Sequence, residues 1–265
     1  MERAGEAWAG GVRRVVHDSI DSTNAEAWRL VRAGETGPLW IVAREQTAGR
    51  GRRGRDWASP QGNLYATLLL TDPCAPPQAP QLSFVAALAL HDAVANAAPA
   101  VRPELQVKWP NDLVLGGAKV AGILVEGESA AAQRFTAAIG IGVNCASRPE
   151  GTPYPASDLR TSGTHVAPDA LFEALASAMR GRLDQWARGA GFEAIRADWT
   201  ARAARLNEVI RLQIGDETVE GNFDGIDGSG RLVMTMEDGS RRSFNAGDVV
   251  AGMATLDRLR TGAAL

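Results

Sequence analysis

The amino-acid sequence predicts an α+β protein, with a mixed-sheet domain of strands and helices over residues 1–206 and a small all-β module over residues 207–265. Apolar strand-like runs alternate with long helical patterns in the first part, and the helical patterns stop near Asn207. Beyond that point, short apolar runs are separated by GDE, DGSG and EDGS, which favour hairpin turns. Short strands at regular spacing are typical of a small barrel.

The elements of the first part follow from their local patterns. PLWIVA (residues 38–43) and NLYATLLLT (residues 63–71) predict strands on the two sides of an arginine-rich loop. The proline-rich TDPCAPPQAP predicts a loop, and QLSFVAALALHDAVANAA has the apolar density of a mostly buried helix. LQVKW, KVAGILVEG and FTAAIGIGVNC predict three more strands. Residues 169–206 then predict two helices with Gly189 and Gly191 between them.

The composition excludes several classes of protein. A net charge of -3 argues against a general nucleic-acid coat, so any basic patch must be local. The two cysteines, Cys74 and Cys145, lack CxxC spacing and provide neither a disulfide framework nor a zinc site. The N-terminal segment does not resemble a signal peptide, and no stretch is long and apolar enough for a membrane span. We therefore expect a cytoplasmic protein without a membrane partner.

The segment REQTAGRGRRGRDW (residues 44–57) concentrates positive charge in this acidic chain. Its glycines let the backbone adopt positive φ and approach a ligand closely, and its arginines offer forked donors suited to carboxylate and phosphate oxygens. The residues concerned are Gly49, Gly51 and Gly54, and Arg50, Arg52, Arg53 and Arg55. From composition alone, an anion site and a solvated surface loop are both open. No GxxxxGK[ST] motif occurs, which excludes a Walker A site.

Lys119 opens the apolar run KVAGILVEG. A lysine at a buried strand end is costly unless it meets a negative group, so Lys119 is a functional candidate. Gly122 in the same run permits close backbone approach. Asn111 and Asp112 follow a proline, where local evidence favours ordinary turn chemistry over a functional role.

Alternation in AIGIGVNC predicts a strand with two different faces. Its glycines and Asn144 share one face, which could be a floor for a flat ligand or a surface for close helix packing. At the start of the chain, Ser22 to Asn24 begin an amphipathic helix, and Thr23 to Glu26 fit a capping box. A helix start also presents free N–H groups, so a cap and a ligand site are compatible there.

Together these segments resemble the biotin protein ligase (biotin–[acetyl-CoA-carboxylase] ligase) family. The matching motifs are STN, QTAGRGRRGR-W-SP-GNLY, KWPNDL, K-AGILVE and IGIGVN, which extend over most of the first 145 residues. The resemblance implies a mixed-sheet, class II synthetase-like catalytic domain with a C-terminal SH3-like β barrel. It further implies ATP and biotin as substrates with Mg²⁺, and the biotin carboxyl carrier protein of acetyl-CoA carboxylase as the acceptor.

The resemblance implies a reaction in two steps. Biotin and ATP form biotinyl-5′-AMP and pyrophosphate, and a carrier lysine then displaces AMP. Because a carboxylate and a triphosphate repel each other, the first step needs fixed cations, which the arginine loop supplies.

Site residues carry over from the family by motif position. Lys119, Arg52 and Arg50 are expected to be catalytic, with Lys119 as a cation and Arg52 retaining the adenylate; Asp112 is expected to help place Mg²⁺ or the incoming lysine. The biotin side comprises Ser22, Thr23, Asn24, Gln46, Arg50, Gly51, Arg52, Lys119 and Gly122. The nucleotide side comprises Arg52, Arg55, Trp57, Asn111, Lys119 and Asn144, and no side chain is predicted as a dedicated metal ligand.

The chain also departs from the family pattern. The short segment before Asp21 predicts no DNA-binding domain and hence no DNA partner. Family members often carry an arginine in the last strand, in the context Ser-Leu-Arg, whereas this chain has DVVAGM there. A nucleotide contact from the C-terminal module is therefore in doubt. A sheet-edge homodimer is compatible with the resemblance. The arginine loop is expected to become ordered only with biotin, since its charges have no visible local partners.

Two other functions compete with this one. A lipoate–protein ligase shares the fold class, but its arginine-glycine-glycine-glycine and His-Asp signatures are missing. An RNA-binding module would use the arginine loop to contact the nucleic acid. The acidic net charge of the chain and the lack of interleaved aromatic residues argue against this function.

Overall fold

The computed structural model describes residues 7–9, 11–129 and 135–250, and its first part is built on an eight-stranded mixed sheet. The strand order is β1-β2-β3-β4-β8-β7-β6-β5; β2 and β3 are parallel, and the other neighbouring pairs are antiparallel. The strands are β1 (Ala7–Ala9), β2 (Val12–His17), β3 (Leu39–Ala43), β4 (Leu64–Thr71), β5 (Leu105–Lys108), β6 (Asp112–Leu115), β7 (Ala118–Ser129) and β8 (Phe135–Val143).

Helices cover the two faces of this sheet unequally. The helix α2 (Gln81–Ala97) is apolar almost throughout and packs with α3 (Pro168–Trp186) and α4 (Phe192–Thr200) over one face. The shorter helix α1 (Thr23–Arg32) lies against β3, β4 and β8 on the other face, above a small apolar cluster. Successive side chains of a strand point to opposite faces of the sheet. Each strand residue therefore lies either on the face packed by α2, α3 and α4 or on the face that carries α1, which has room for a site.

The C-terminal module is a five-stranded antiparallel sheet of the SH3-like type, in the order β12-β11-β10-β9-β13. Its strands are β9 (Val209–Ile214), β10 (Glu217–Ile226), β11 (Leu232–Thr235), β12 (Arg241–Phe244) and β13 (Asp248–Val250). The module is fixed to the first part because Trp109 Nε1 donates to Gly230 O at 3.1 Å and its apolar residues join the main core. The predicted α+β class is confirmed, and the predicted residues beyond 250 lie outside the described chain.

The sequence-based prediction of a capping box at Thr23–Glu26 is wrong by one residue. Ser22 is the N-cap, with its Oγ accepting from Ala25 N at 3.4 Å, and the Glu26 carboxylate instead pairs with Arg29. The cap falls on Ser22 because the side chains of Thr23 and Asn24 turn inward, where both are almost fully buried.

The prediction also missed strand β6. The turn expected after Trp109 exists, but a strand of four residues begins directly at Asp112 and pairs with both β5 and β7. Four residues are too few for a period-2 pattern to stand out beside a turn. Within the described parts of the chain, no helix combines the length and apolar content that a membrane crossing requires.

Two glycines near the helical connection should respond oppositely to alanine. A Cβ at Gly191 would lie 1.9 Å from Gln185 O, so Gly191→Ala should lower the free energy of unfolding by about 1–3 kcal/mol. Gly181 lies inside α3, where a Cβ meets nothing within 4 Å. Gly181→Ala should therefore raise the free energy of unfolding by roughly 0.5–1 kcal/mol. Urea unfolding midpoints measure both; shifts of the same sign would contradict this packing.

Candidate active site

The site lies on the sheet face that α2 does not cover, where β7 and β8 present glycines. A Cβ at Gly140 would lie 2.3 Å from Asn24 Oδ1, and one at Gly142 would lie 2.5 Å from Trp57 Nε1. A Cβ at Gly122 would lie 3.0 Å from Trp57 Cζ3. These glycines therefore let the start of α1 and the Trp57 ring approach the sheet. The glycine face supports close packing of the protein's own groups, and those groups form the wall of the site.

A buried polar network joins the start of α1 to β4. Thr23 donates to Gln46 Oε1 through its backbone N at 2.9 Å and through its hydroxyl at 3.1 Å. The hydroxyl of Thr67, fully buried on β4, lies 2.8 Å from Thr23 Oγ1 and 2.6 Å from Asn24 Oδ1. Asn24 Nδ2 donates to Glu126 Oε2 at 2.9 Å, which turns the amide oxygen of Asn24 toward Thr67.

The number of protons in this network shows what it lacks. Three oxygen–oxygen contacts in this network need one proton each: Thr23 to Gln46, Thr67 to Thr23, and Thr67 to Asn24. The hydroxyls of Thr23 and Thr67 supply only two protons between them. Exchanging the oxygen and nitrogen of the Asn24 amide would place its oxygen against the Glu126 carboxylate, so it does not resolve the shortage. The network is rich in acceptors and suited to a ligand that brings N–H donors.

The arginine loop is closed on itself and held by carboxylates from other elements. Gly51 N donates to Arg55 O at 2.7 Å, and Arg53 adopts a left-handed φ of 56°. Arg50 pairs with Glu126 at 3.3 Å, whereas Arg53 and Arg55 pair with Asp248 of β13 at 3.3 and 3.2 Å. The charges of the loop are paired in space with carboxylates distant in sequence, which an argument about local partners does not consider. Biotin-dependent ordering of the loop stays a prediction.

Arg52 is the least exposed arginine of the loop's ion pairs. Its Nη1 donates to Asn111 Oδ1 at 3.1 Å and lies 3.8 Å from Asp248 Oδ1. Burial lowers the pKa of the Arg52 guanidinium from its ordinary value, while the charge of Asp248 acts in the opposite direction. Asn111 also donates Nδ2 to Ile123 O at 2.6 Å, so the side chain ties Arg52 to β7.

A β-bulge brings Lys119 to the glycine face. Strict alternation would place Lys119 and Gly122 on opposite faces, but the β6–β7 register skips Val120, so a Cβ at Gly122 would lie 3.4 Å from Lys119 Nζ. Lys119 Nζ pairs with Asp112 Oδ1 at 2.7 Å, which supplies the negative group that a poorly exposed lysine requires. The same ammonium lies 5.3 Å from the ring centroids of both Trp57 and Tyr154.

A second lysine adds to the positive charge around Asp112. Lys108, at the end of β5, is the register partner of Asp112 on β6. Burial lowers the pKa of the Lys108 ammonium from its ordinary value, and the charge of Asp112 opposes that shift. Asp112 is therefore the counter-charge between two lysines of the site.

The structure thus brings most of the predicted residues together and gives three of them structural contacts. Ser22 caps α1, and Asn144 is buried and donates Nδ2 to Ser157 O at 3.0 Å. Arg55 points to Asp248. In the described part of the chain, no group of three or more His, Cys, Asp or Glu side chains could hold a metal ion.

Sequence reasoning missed four contributors: Thr67, Glu126, Tyr154 and Asp248. Thr67 and Glu126 carried a usable signal, because each is a polar residue inside an apolar strand. Tyr154 lies between two prolines and Asp248 follows a turn, where polar and aromatic residues are unremarkable.

Comparison with known proteins gives matches over nearly the whole chain. A family model described as the Biotin/lipoate A/B protein ligase family matches residues 16–144, and one described as the Biotin protein ligase C terminal domain matches residues 206–252. The chain is 45% identical over 242 residues to a biotin–[acetyl-CoA-carboxylase] ligase of Paracoccus denitrificans, covering 88% of this chain and 98% of that protein.

Solved structures have a similar fold. Biotin protein ligase from Aquifex aeolicus, in complex with biotin and ATP, has a TM-score of 0.74 at 24% identity, covering 89% of this chain and 97% of that chain. The biotin protein ligase of Leishmania major in complex with biotinyl-5-AMP has a TM-score of 0.62 at 26% identity, covering 88% and 98%.

Thr67 provides a test of the polar network. Thr67→Val preserves the side-chain shape and removes the hydroxyl, so the buried Asn24 Oδ1 loses its partner on β4. The free energy of unfolding should fall by about 1–3 kcal/mol. Thr71→Val, at the half-buried end of the same strand, is the matched control and should change it little. Equal urea midpoints for the two variants would show that the Thr67 hydroxyl contributes nothing.

Proposed function

The chain belongs to the biotin protein ligase family, and on that premise we propose that it is a biotin–[acetyl-CoA-carboxylase] ligase. It would activate biotin with ATP to biotinyl-5′-AMP and transfer biotin to a lysine of a biotin carboxyl carrier protein. The observation that carries the proposal is one sheet face, beside which lie an acceptor-rich network and the cations of Arg50, Arg52 and Lys119.

We assign the ureido ring of biotin to the network at the start of α1. A cyclic urea offers two N–H donors and one carbonyl acceptor, and the network of Thr23, Asn24, Gln46 and Thr67 lacks a donor. A ureido N–H directed at Asn24 Oδ1 or Thr67 Oγ1 supplies it. The valeryl chain would then run over Gly122 and the Trp57 ring toward Lys119.

Adenylation joins two anions, and the site cations address that difficulty. A biotin carboxylate oxygen attacks the α-phosphorus of ATP, the new P–O bond forms, and the bond to pyrophosphate breaks. Preorganised cations where negative charge accumulates are typically worth about 10²–10³ in rate for each donor. Lys119 acts as such a cation and not as a nucleophile, since its ammonium already lies in an ion pair and must exchange Asp112 for the substrate.

Transfer requires a neutral lysine amine of the carrier to attack the acyl carbon, with AMP leaving and one proton lost from nitrogen. Asp112 is the carboxylate nearest to Lys119, and we assign it to positioning the incoming amine. Asp112 also offers a carboxylate oxygen for Mg²⁺ beside the phosphate oxygens, provided that its Oδ1 exchanges the Lys119 ammonium, 2.7 Å away, for the metal. Mg²⁺ bound there would neutralise phosphate charge.

The remaining assignments are parts of the same proposal. Trp57, Asn111, Asn144 and Arg55 are assigned to the nucleotide side. The catalytic domain spans residues 1–206 and the SH3-like module residues 207–265. The two cysteines, both buried free thiols, are compatible with a cytoplasmic enzyme. A sheet-edge homodimer and the absence of a DNA partner stay predictions from the family resemblance.

The direct test is incubation of the protein with ATP, Mg²⁺, biotin and a biotin carboxyl carrier domain, followed by a streptavidin blot and a pyrophosphate assay. We expect biotin on the carrier domain, and none on a carrier whose acceptor lysine is changed to arginine. Biotin-independent pyrophosphate release with an unlabelled carrier would exclude the function.

Lys119 tests the adenylation step. Lys119→Ala should abolish biotin-dependent pyrophosphate release, by at least about 10²-fold, because the cation beside the reacting carboxylate is gone. Circular dichroism should show an unchanged fold, since the lysine lies at the edge of the core. Lys119→Arg keeps the charge with a different geometry and should recover only part of the rate. Normal turnover of Lys119→Ala would exclude the assigned role.

Arg52 tests the retention of the intermediate. Arg52→Gly should let biotinyl-5′-AMP escape and label an added bystander protein, whereas wild-type protein labels the carrier alone. The bystander must be rich in lysine, since this chain carries only Lys108 and Lys119 as acceptors of its own. Arg44→Gly, an exposed arginine at the start of the same segment, is the control. Labelling confined to the carrier with Arg52→Gly would contradict the assignment.

A further inference from the structure

We propose that Asp248, on the last described strand of the C-terminal module, is a positioning residue for adenylation that acts through the arginine loop. Its carboxylate lies 3.8 Å from Arg52 Nη1, 3.3 Å from Arg53 Nη1 and 3.2 Å from Arg55 Nη2. One carboxylate thereby gathers three arginines of the loop. The inference rests on the proposed function, since it assigns these arginines to the handling of substrate phosphate and carboxylate.

Asp248 is fixed by the module and not by the loop. The short strand β13 pairs with β9, with Asp248 opposite Gln213. The preceding Gly247 is packed so closely that a Cβ would lie 2.7 Å from Leu212 Cδ1 and 3.1 Å from Gln213 O. The module is in turn joined to the main core through Trp109 and Gly230. The carboxylate is therefore presented by a paired strand of the module to the outside of a tightly turned loop.

The charge balance explains what this contact does. Arg53 and Arg55 have side chains about half exposed, and their backbone is tightly turned, with Arg53 at a φ of 56°. Without a counter-charge these guanidiniums and that of Arg52 repel one another, and the loop would open. With Asp248 present, three positive charges face one negative charge. The excess stays positive, so the loop is held in place while retaining attraction for an anionic substrate.

Asp248 thus differs from a competing anion. A competing anion would hold Arg52 tightly, but Nη1 of Arg52 donates to Asn111 Oδ1 at 3.1 Å and lies 3.8 Å from Asp248, which is beyond hydrogen-bond distance. The strongest contacts of Asp248 are to Arg53 and Arg55. It therefore holds the outer part of the loop, and Arg52 is positioned as a result.

The test compares Asp248→Asn with wild type in the pyrophosphate-release assay with biotin and ATP at low salt. We expect the KM for ATP to rise about 10-fold, with a smaller change in kcat and with labelling of a bystander protein. Asp248→Glu should restore most of the KM. Asp216→Asn, which removes the same charge from an exposed turn of the same module, is the matched control and should match wild type.

Two further measurements separate positioning from a structural defect. Trypsin should cut after Arg53 and Arg55 faster in Asp248→Asn than in Asp216→Asn without any substrate, at an equal urea midpoint. The double variant Asp248→Asn with Arg55→Gln should lose less than the sum of the two single variants, because both act through one contact.

An unchanged or lowered KM for ATP in Asp248→Asn, with an unchanged rate of trypsin cleavage, would overturn the proposal. The wild-type reaction distinguishes this failure from that of the proposed function. If wild-type protein releases no pyrophosphate with biotin, the ligase function fails. If it does and the variant is indistinguishable from it, only the role of Asp248 fails.

Discussion

The cations of the candidate site are held by carboxylates that reach them from three separate strands. Glu126 of β7 pairs with Arg50, Asp112 of β6 with Lys119, and Asp248 of β13 with the outer arginines. The four arginines of the loop and Lys119 outnumber these three carboxylates, so the site keeps an excess of positive charge that attracts anionic substrates.

The same strands that build the core also build the site, because alternate residues serve opposite faces. On β8, Ile139 and Ile141 join the apolar core while Gly140 and Gly142 admit Asn24 and Trp57 on the other side. Asn24 of α1 and Trp57 of the loop thus lie directly on the sheet, each above a glycine. A larger residue at either glycine would displace the side chain above it.

Much of the site was predictable from residue type, and its pairings were not. The arginine loop, Lys119 and the polar start of α1 stand out because charge or polarity occurs where the pattern is glycine-rich or apolar. Thr67 is a polar residue inside an apolar strand and could have been found by the same argument. Asp248 could not, since it pairs with Arg55 across 193 residues and an acidic residue after a turn is ordinary.

The sequence by itself determined most of the helices and strands but not β6, and it determined the glycine face of β8 and the kinds of charge available, because periodicity and residue type are local properties. Only the tertiary structure decided which groups meet. The bulge at Val120 turns Lys119 onto the face of Gly122, against strict alternation. The C-terminal module delivers Asp248 to the arginine loop. Both outcomes depend on strand register and through-space packing, which no short stretch of sequence contains.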